Sequence, residues 1–114
     1  MKTYFVYVTC ASIEEAKTIA MSVVGERLAA CANIIPGMES IYWWEGELEQ
    51  GNETVLVLKT PQDKLGHLMG RATELHSYDL PCIVALEIAD ASPEYLAWLV
   101  RETRANSVVG DSTD

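Results

Sequence analysis

Four strand-like runs and two amphipathic helical patterns alternate along this chain of 114 residues, and their order leaves few folds open. Residues 2–10 are β-branched and aromatic almost throughout, the signature of a central strand. Ser12, Ile13, Glu14 and Glu15 then spell a capping box. The Ser12 hydroxyl can accept the Glu15 amide while the Glu15 carboxylate reaches back. Behind it Ile13, Ala16, Ile19, Ala20, Val23, Val24 and Leu28 recur at helical spacing, which predicts a helix to about Arg27. Gly25 weakens its last turn by about 1 kcal/mol relative to Ala.

Residues 32–44 form a long extended stretch whose Pro36-Gly37 pair marks a bend or bulge and an edge position. Gly46 and Gly51 serve as turn residues within 45–52, and residues 54–60 return as the second strand of a hairpin. Thr60 is the expected N-cap of a second helix with Pro61 at its first position, where a missing N–H is harmless. Leu65, Leu68, Met69, Ala72 and Leu75 are its expected buried face. Residues 76–81 form a loop and 82–88 a fourth strand. Ser92-Pro93-Glu94 starts a third helix bearing Tyr95, Leu96, Trp98 and Leu99. The order β-α-β-β-α-β with an extra C-terminal helix predicts an α+β, ferredoxin-like fold. One domain spans 1–105, followed by a flexible polar tail at 106–114.

Charge narrows the partners. With 8 Lys+Arg against 17 Asp+Glu, the net charge is −9, and no basic run occurs. Such a surface repels nucleic acid and anionic lipid; it attracts cations, or simply keeps the chain soluble. The three cysteines are odd in number and lack a CxxC pair, which argues against a disulfide framework or a zinc knuckle. The N-terminal segment alternates as a strand does and reads as no signal peptide, and no apolar stretch approaches the ~18 residues of a membrane span. A cytoplasmic protein is expected. GxSxG, HExxH and DxDxDG motifs are absent, His67 reads as a partly exposed helix histidine, and Glu45, Glu47, Glu49 and Glu53 read as a solvated hairpin tip. These features predict a protein that is not an enzyme.

The cysteines and His76 carry more information. In a ferredoxin-like sheet the fourth strand runs antiparallel beside the first, so Cys10 and Cys82 are expected at one edge with His76 close by. Two thiols and an imidazole suit copper or zinc. Cys31 is expected at the opposite edge and could join only across a subunit boundary. Each cysteine also reads as a small buried apolar residue. Tyr42, Trp43 and Trp44 alternate along one strand and cannot all enter a small core, which marks them as a subunit interface.

The block ERLAACANIIPGMESIYWWEGELEQ at 26–50 closely resembles the signature of the CutA divalent-cation-tolerance family. LKTPQDKL at 58–65, ELHSYDLPCIVAL at 74–86 and PEYLAWL at 93–99 are similar to its later blocks, in the same order. The resemblance covers roughly residues 3–102. It implies a ferredoxin-like protomer in a tight homotrimer, with an architecture similar to PII signalling proteins, and an association with tolerance to copper and other divalent cations. No reaction is established for the family. By position, Cys31, Lys59, His76, Tyr78 and Asp79 match its characteristic polar residues. Two departures stand out: Ser77 replaces a usual proline, and Cys82 stands where a glutamate is usual, which softens a ligand and removes a carboxylate. The expected function is cation binding, copper foremost, with His76, Cys10, Cys82 and Cys31 as metal ligands. The alternatives are a PII-like sensor whose inter-subunit cleft uses Lys59, Tyr78 and Asp79 to bind a small molecule or protein partner, and a structural trimeric scaffold.

Overall fold

The computed structural model describes residues 1–104, so the tail expected at 106–114 lies outside the described residues. Seven elements follow in order: β1 (Thr3–Cys10), α1 (Ile13–Gly25), β2 (Cys31–Trp44), β3 (Glu47–Pro61), α2 (Gln62–Leu75), β4 (Ile83–Glu87) and α3 (Pro93–Arg104). The strands make one antiparallel sheet in the order β2-β3-β1-β4. This is the expected ferredoxin-like arrangement with α3 appended.

The Ser12 hydroxyl caps α1 by accepting the Glu15 amide at 3.1 Å. The Glu15 carboxylate reaches one residue beyond the expected partner and accepts the Ala11 N–H at 2.8 Å. The helix stops at Gly25 rather than Arg27, because Arg27 takes a left-handed φ of 65°. Leu28 N–H then donates to Val23 O at 2.9 Å and Arg27 N–H to Val24 O at 3.0 Å, a Schellman closure.

β2 runs without a break through Pro36-Gly37, where two of its residues oppose one of β3 between the pairs Ile35↔Val55 and Met38↔Glu53. Gly37 provides the positive φ (83°) that the bulge requires. The hairpin turn is only Glu45-Gly46, with φ of 50° and 83°, a type I′ geometry matched to strand twist. β3 therefore begins at Glu47 and not at Thr54. Residues 47–53 lack apolar alternation, and their strand conformation follows from pairing with the aromatic half of β2. Thr60 is a second correction. It is a buried residue within β3, one before its end, and its hydroxyl donates to Leu28 O at 2.7 Å instead of capping α2. The N-cap is Pro61, which makes no side-chain cap.

One face of the sheet is covered by α1 and α2. Val6, Val8 and Cys10 of β1 and Leu56 and Leu58 of β3 pack there against Ala16, Ile19, Val23, Leu68 and Ala72. α3 touches the opposite face near Cys31 and Lys59, where Tyr95 meets both. Elsewhere this face leaves Ile35, Val84 and Leu86 exposed. The outer β2–β3 arm projects past both helices, which contributes to a molecule 53 Å long and 22 Å thick. Among the described residues no helix is long and apolar enough to cross a membrane.

Candidate functional site

The end of β1, the start of α1 and the loop after α2 meet at one place. Cys10 faces the helices and is buried. Glu15 arrives from the first turn of α1, and His76 from the C-terminal cap of α2. One donor atom from each of the three lies within 4.8 Å of the others. The group thus joins Cys10 to His76, as expected, but with Glu15 in the place foreseen for Cys82. Thr9 N–H donates to Cys82 O at 3.2 Å and Val8 pairs with Ile83, so alternation sets Cys82 opposite Thr9 and away from the face of Cys10. Cys82 is exposed.

Backbone amides occupy this cluster closely. Tyr78 N–H donates to His76 Nδ1 at 3.1 Å, which makes Nδ1 the unprotonated nitrogen. Nε2 therefore carries the proton and donates to Thr9 O at 2.7 Å. The imidazole is sealed from solvent, with 0% of its side chain exposed. Glu15 Oε1 accepts Ala11 N–H and Oε2 accepts Ser77 N–H at 2.7 Å; the latter oxygen is also 3.8 Å from His76 Nδ1. Burial works to raise the Glu15 carboxyl, but hydrogen bonds from the Ala11 amide and from Ser77 hold it below its ordinary value. The Cys10 thiol is pushed up to about 12, first by burial and then by the charges of Glu15 and Glu53. It is thus a protonated thiol at neutral pH, with little thiolate for attack or ligation until a cation displaces the proton. Sulfur, imidazole and carboxylate together are a donor set for a borderline cation such as zinc or copper.

Tyr78 ties the loop to the sheet. Its hydroxyl donates to Glu53 Oε2 at 2.9 Å, and Glu53 Oε1 accepts Ser40 Oγ–H at 2.6 Å. Burial and then the Glu53 hydrogen bond raise the Tyr78 phenol well above its ordinary value. Asp79 is exposed beside it. Lys59 lies toward the other end of β3, donating to Asn33 at 3.1 Å and standing 5.7 Å from the Tyr95 ring centroid. Within one chain, then, Lys59 is not brought together with Tyr78 and Asp79. Cys31, paired with Lys59, sits 3.4 Å from the Tyr95 hydroxyl, at the end of the sheet away from Cys10. That phenol is pushed up to about 12, by burial first and by Cys31 second. Tyr42, Trp43 and Trp44 all stand exposed on the arm. Sequence reasoning missed two participants: Glu15, whose only visible signal was its capping position, and Glu53, which was hidden among its acidic neighbours.

The chain is similar to known proteins over most of its length. Residues 4–102 match the family described as CutA1 divalent ion tolerance protein. The divalent-cation tolerance protein CutA of Thermus thermophilus is 48% identical over 98 residues, covering 86% of this chain and 95% of that protein. The chloroplastic protein CutA 1 of Oryza sativa is 43% identical over 99 residues, or 87% of this chain; the match spans only 56% of the rice protein's length. The crystal structure of CutA1 from Ehrlichia chaffeensis superposes with a TM-score of 0.87 at 30% identity, covering 92% of this chain and 99% of that one. Sequence and fold agree over nearly the whole described length, and the chain belongs to the CutA1 divalent ion tolerance protein family.

Proposed function

We propose that this protein serves divalent-cation tolerance by binding a cation, copper or zinc in preference to a hard ion, as a homotrimer and without turnover. One observation carries the reading: the donor atoms of Cys10, Glu15 and His76 lie within 4.8 Å of one another at the junction of two elements and a loop. The relatives' names, divalent-cation tolerance proteins, support it. Assembly is supported by the uncovered apolar side chains of the sheet, Ile35, Val84 and Leu86, and by the aromatic arm. The test is calorimetric titration with zinc(II), a redox-silent probe, alongside copper(I) held under reductant. Wild type should bind, and Cys10→Ser should weaken binding about tenfold or more. Equal affinities would remove Cys10 from the site, and no binding by wild type would end the reading.

A second reading has its own support. The Lys59 ammonium has no carboxylate partner within ion-pair distance among the described residues, although the chain carries a net charge of −9. A PII-like cleft between subunits, with Lys59 of one copy facing Tyr78 and Asp79 of the next, would give that cation an anionic ligand. Thermal-shift measurements across a panel of anionic metabolites test this, and Lys59→Met should abolish any shift found.

A further inference from the structure

A neutral imidazole has a single in-plane lone pair, and in His76 it is already engaged. Nδ1 accepts the Tyr78 amide, and Nε2–H donates to Thr9 O. While both bonds stand, His76 has nothing to offer a cation through either nitrogen. Glu15 is less constrained. Each carboxylate oxygen keeps a second lone pair, so Oε2 can hold the Ser77 amide and still accept a cation. The conflict between loop and cation is therefore located at His76, and the element that must yield is the loop at residues 76–81.

We propose that cation capture at Cys10, Glu15 and His76 and anchoring of the loop at residues 76–81 compete for His76, so that a bound cation releases the Tyr78 amide and loosens the loop. The proposal rests on the cation-binding reading given above and adds what that binding does to the chain. Beyond the His76 Nε2–H bond to Thr9 O, side-chain hydrogen bonds hold the loop at three points: Ser77 N–H to Glu15, Tyr78 N–H to His76, and Tyr78 hydroxyl to Glu53. The first two belong to the cluster. The third ends on a carboxylate that also holds Ser40, so the loop connects the cluster to the root of the β2–β3 arm. A ligand that binds only the released form shifts the population toward it, and any partner preferring that form gains by the same factor. A hard ion such as magnesium prefers oxygen ligands and has little to gain from an imidazole or a thiol, so it leaves the loop anchored.

Residue-resolved amide exchange by NMR on the full chain tests the competition, with zinc(II) alone as probe and calorimetry under the same conditions. Saturating zinc should speed exchange at Tyr78 by about tenfold or more, the loss of one hydrogen bond to a buried acceptor, while Val6 and Val8 amides stay protected. Magnesium should change neither. Zinc binding with unaltered Tyr78 protection would overturn the competition and leave the binding reading standing; absence of zinc binding would overturn both. Glu15→Gln supplies a cation-free check. Its amide nitrogen meets the Ser77 or the Ala11 N–H donor to donor, and its remaining oxygen can serve only one of them. Exchange at Ser77 or Ala11 should therefore rise about tenfold without any cation. Unchanged exchange at both positions in a natively folded Glu15→Gln chain would remove the carboxylate from the anchoring of the loop.

Discussion

β3 passes through two environments within a single strand. From Val55 to Leu58 every side chain is buried, whereas from Glu47 to Asn52 every one is exposed. Both halves pair with β2, so hydrogen bonding alone does not separate them. The inner half also pairs with β1 and lies under two helices, while the outer half has β2 alone. The contrast teaches where the fold's stability resides: a paired strand becomes a core strand only when something apolar covers it. The arm is held locally by its I′ turn and cross-strand pairs, and it leaves Trp43 at 73% and Leu48 at 59% exposure.

Two leucines on this one strand give the sharpest way to break the contrast. Leu56 is fully buried, and Leu56→Ala should cost about 2–5 kcal/mol in urea unfolding at fixed chain concentration. A cost no larger than that of Leu48→Ala would erase the distinction between the halves. Next comes the cluster, where Glu15→Ala leaves the Ala11 and Ser77 amides without their acceptor and should cost about 1–3 kcal/mol. Its pH dependence has a definite sign. Because the folded-state Glu15 carboxyl is held below its ordinary value, its stabilisation is present above the unfolded value and disappears as pH falls through the lowered one. The stability gap between wild type and Glu15→Gln should therefore narrow below about pH 4, and a constant gap down to pH 2 would contradict the assignment. Thr60→Val removes the buried donor of Leu28 O and should cost about 1 kcal/mol. The smallest change is expected on the arm. Leu48→Ala and Trp43→Ser should alter protomer stability by no more than about 0.5 kcal/mol. If the proposed homotrimer forms, Trp43→Ser should instead lower its sedimenting mass, and an unchanged mass would free that indole from any role as an interface.

The elements that read clearly in the sequence are those whose physics is local. The β-branched run of β1, the Ser12 cap and the periodic apolar face of α1 each announce themselves within a few residues. What stayed hidden depended on pairing partners distant in the chain. Residues 47–53 contain Glu, Gln, Gly and Asn, poor strand formers that extend only because β2 lies alongside. Thr60 has the chemistry of an N-cap, yet its hydroxyl is drawn to Leu28 O, a carbonyl left over where the Schellman turn hands the chain to β2. The juxtaposition of Cys10 with His76 followed from topology alone. The displacement of Cys82 followed from register, since one residue of phase decides the face on which a thiol emerges.

The same sensitivity to phase governs the arm, through the bulge at Pro36-Gly37. One extra residue in β2 gives Ile35 and Met38 the same orientation although they are three apart, and every side chain beyond inherits the shift. Tyr42 and Trp44 thereby lie with Ser40 and Glu53 on one side, while Ile41 and Trp43 take the other. Excising Gly37 would set Ile35 and Met38 two apart, so plain alternation would return both to the side they already share; every pair beyond would keep its partner, and the arm would lose only the bend and added twist at its base. The bulge thus works as a splice: it absorbs one surplus residue near the base of the arm and leaves the rings beyond it on the sides that pairing with β3 dictates.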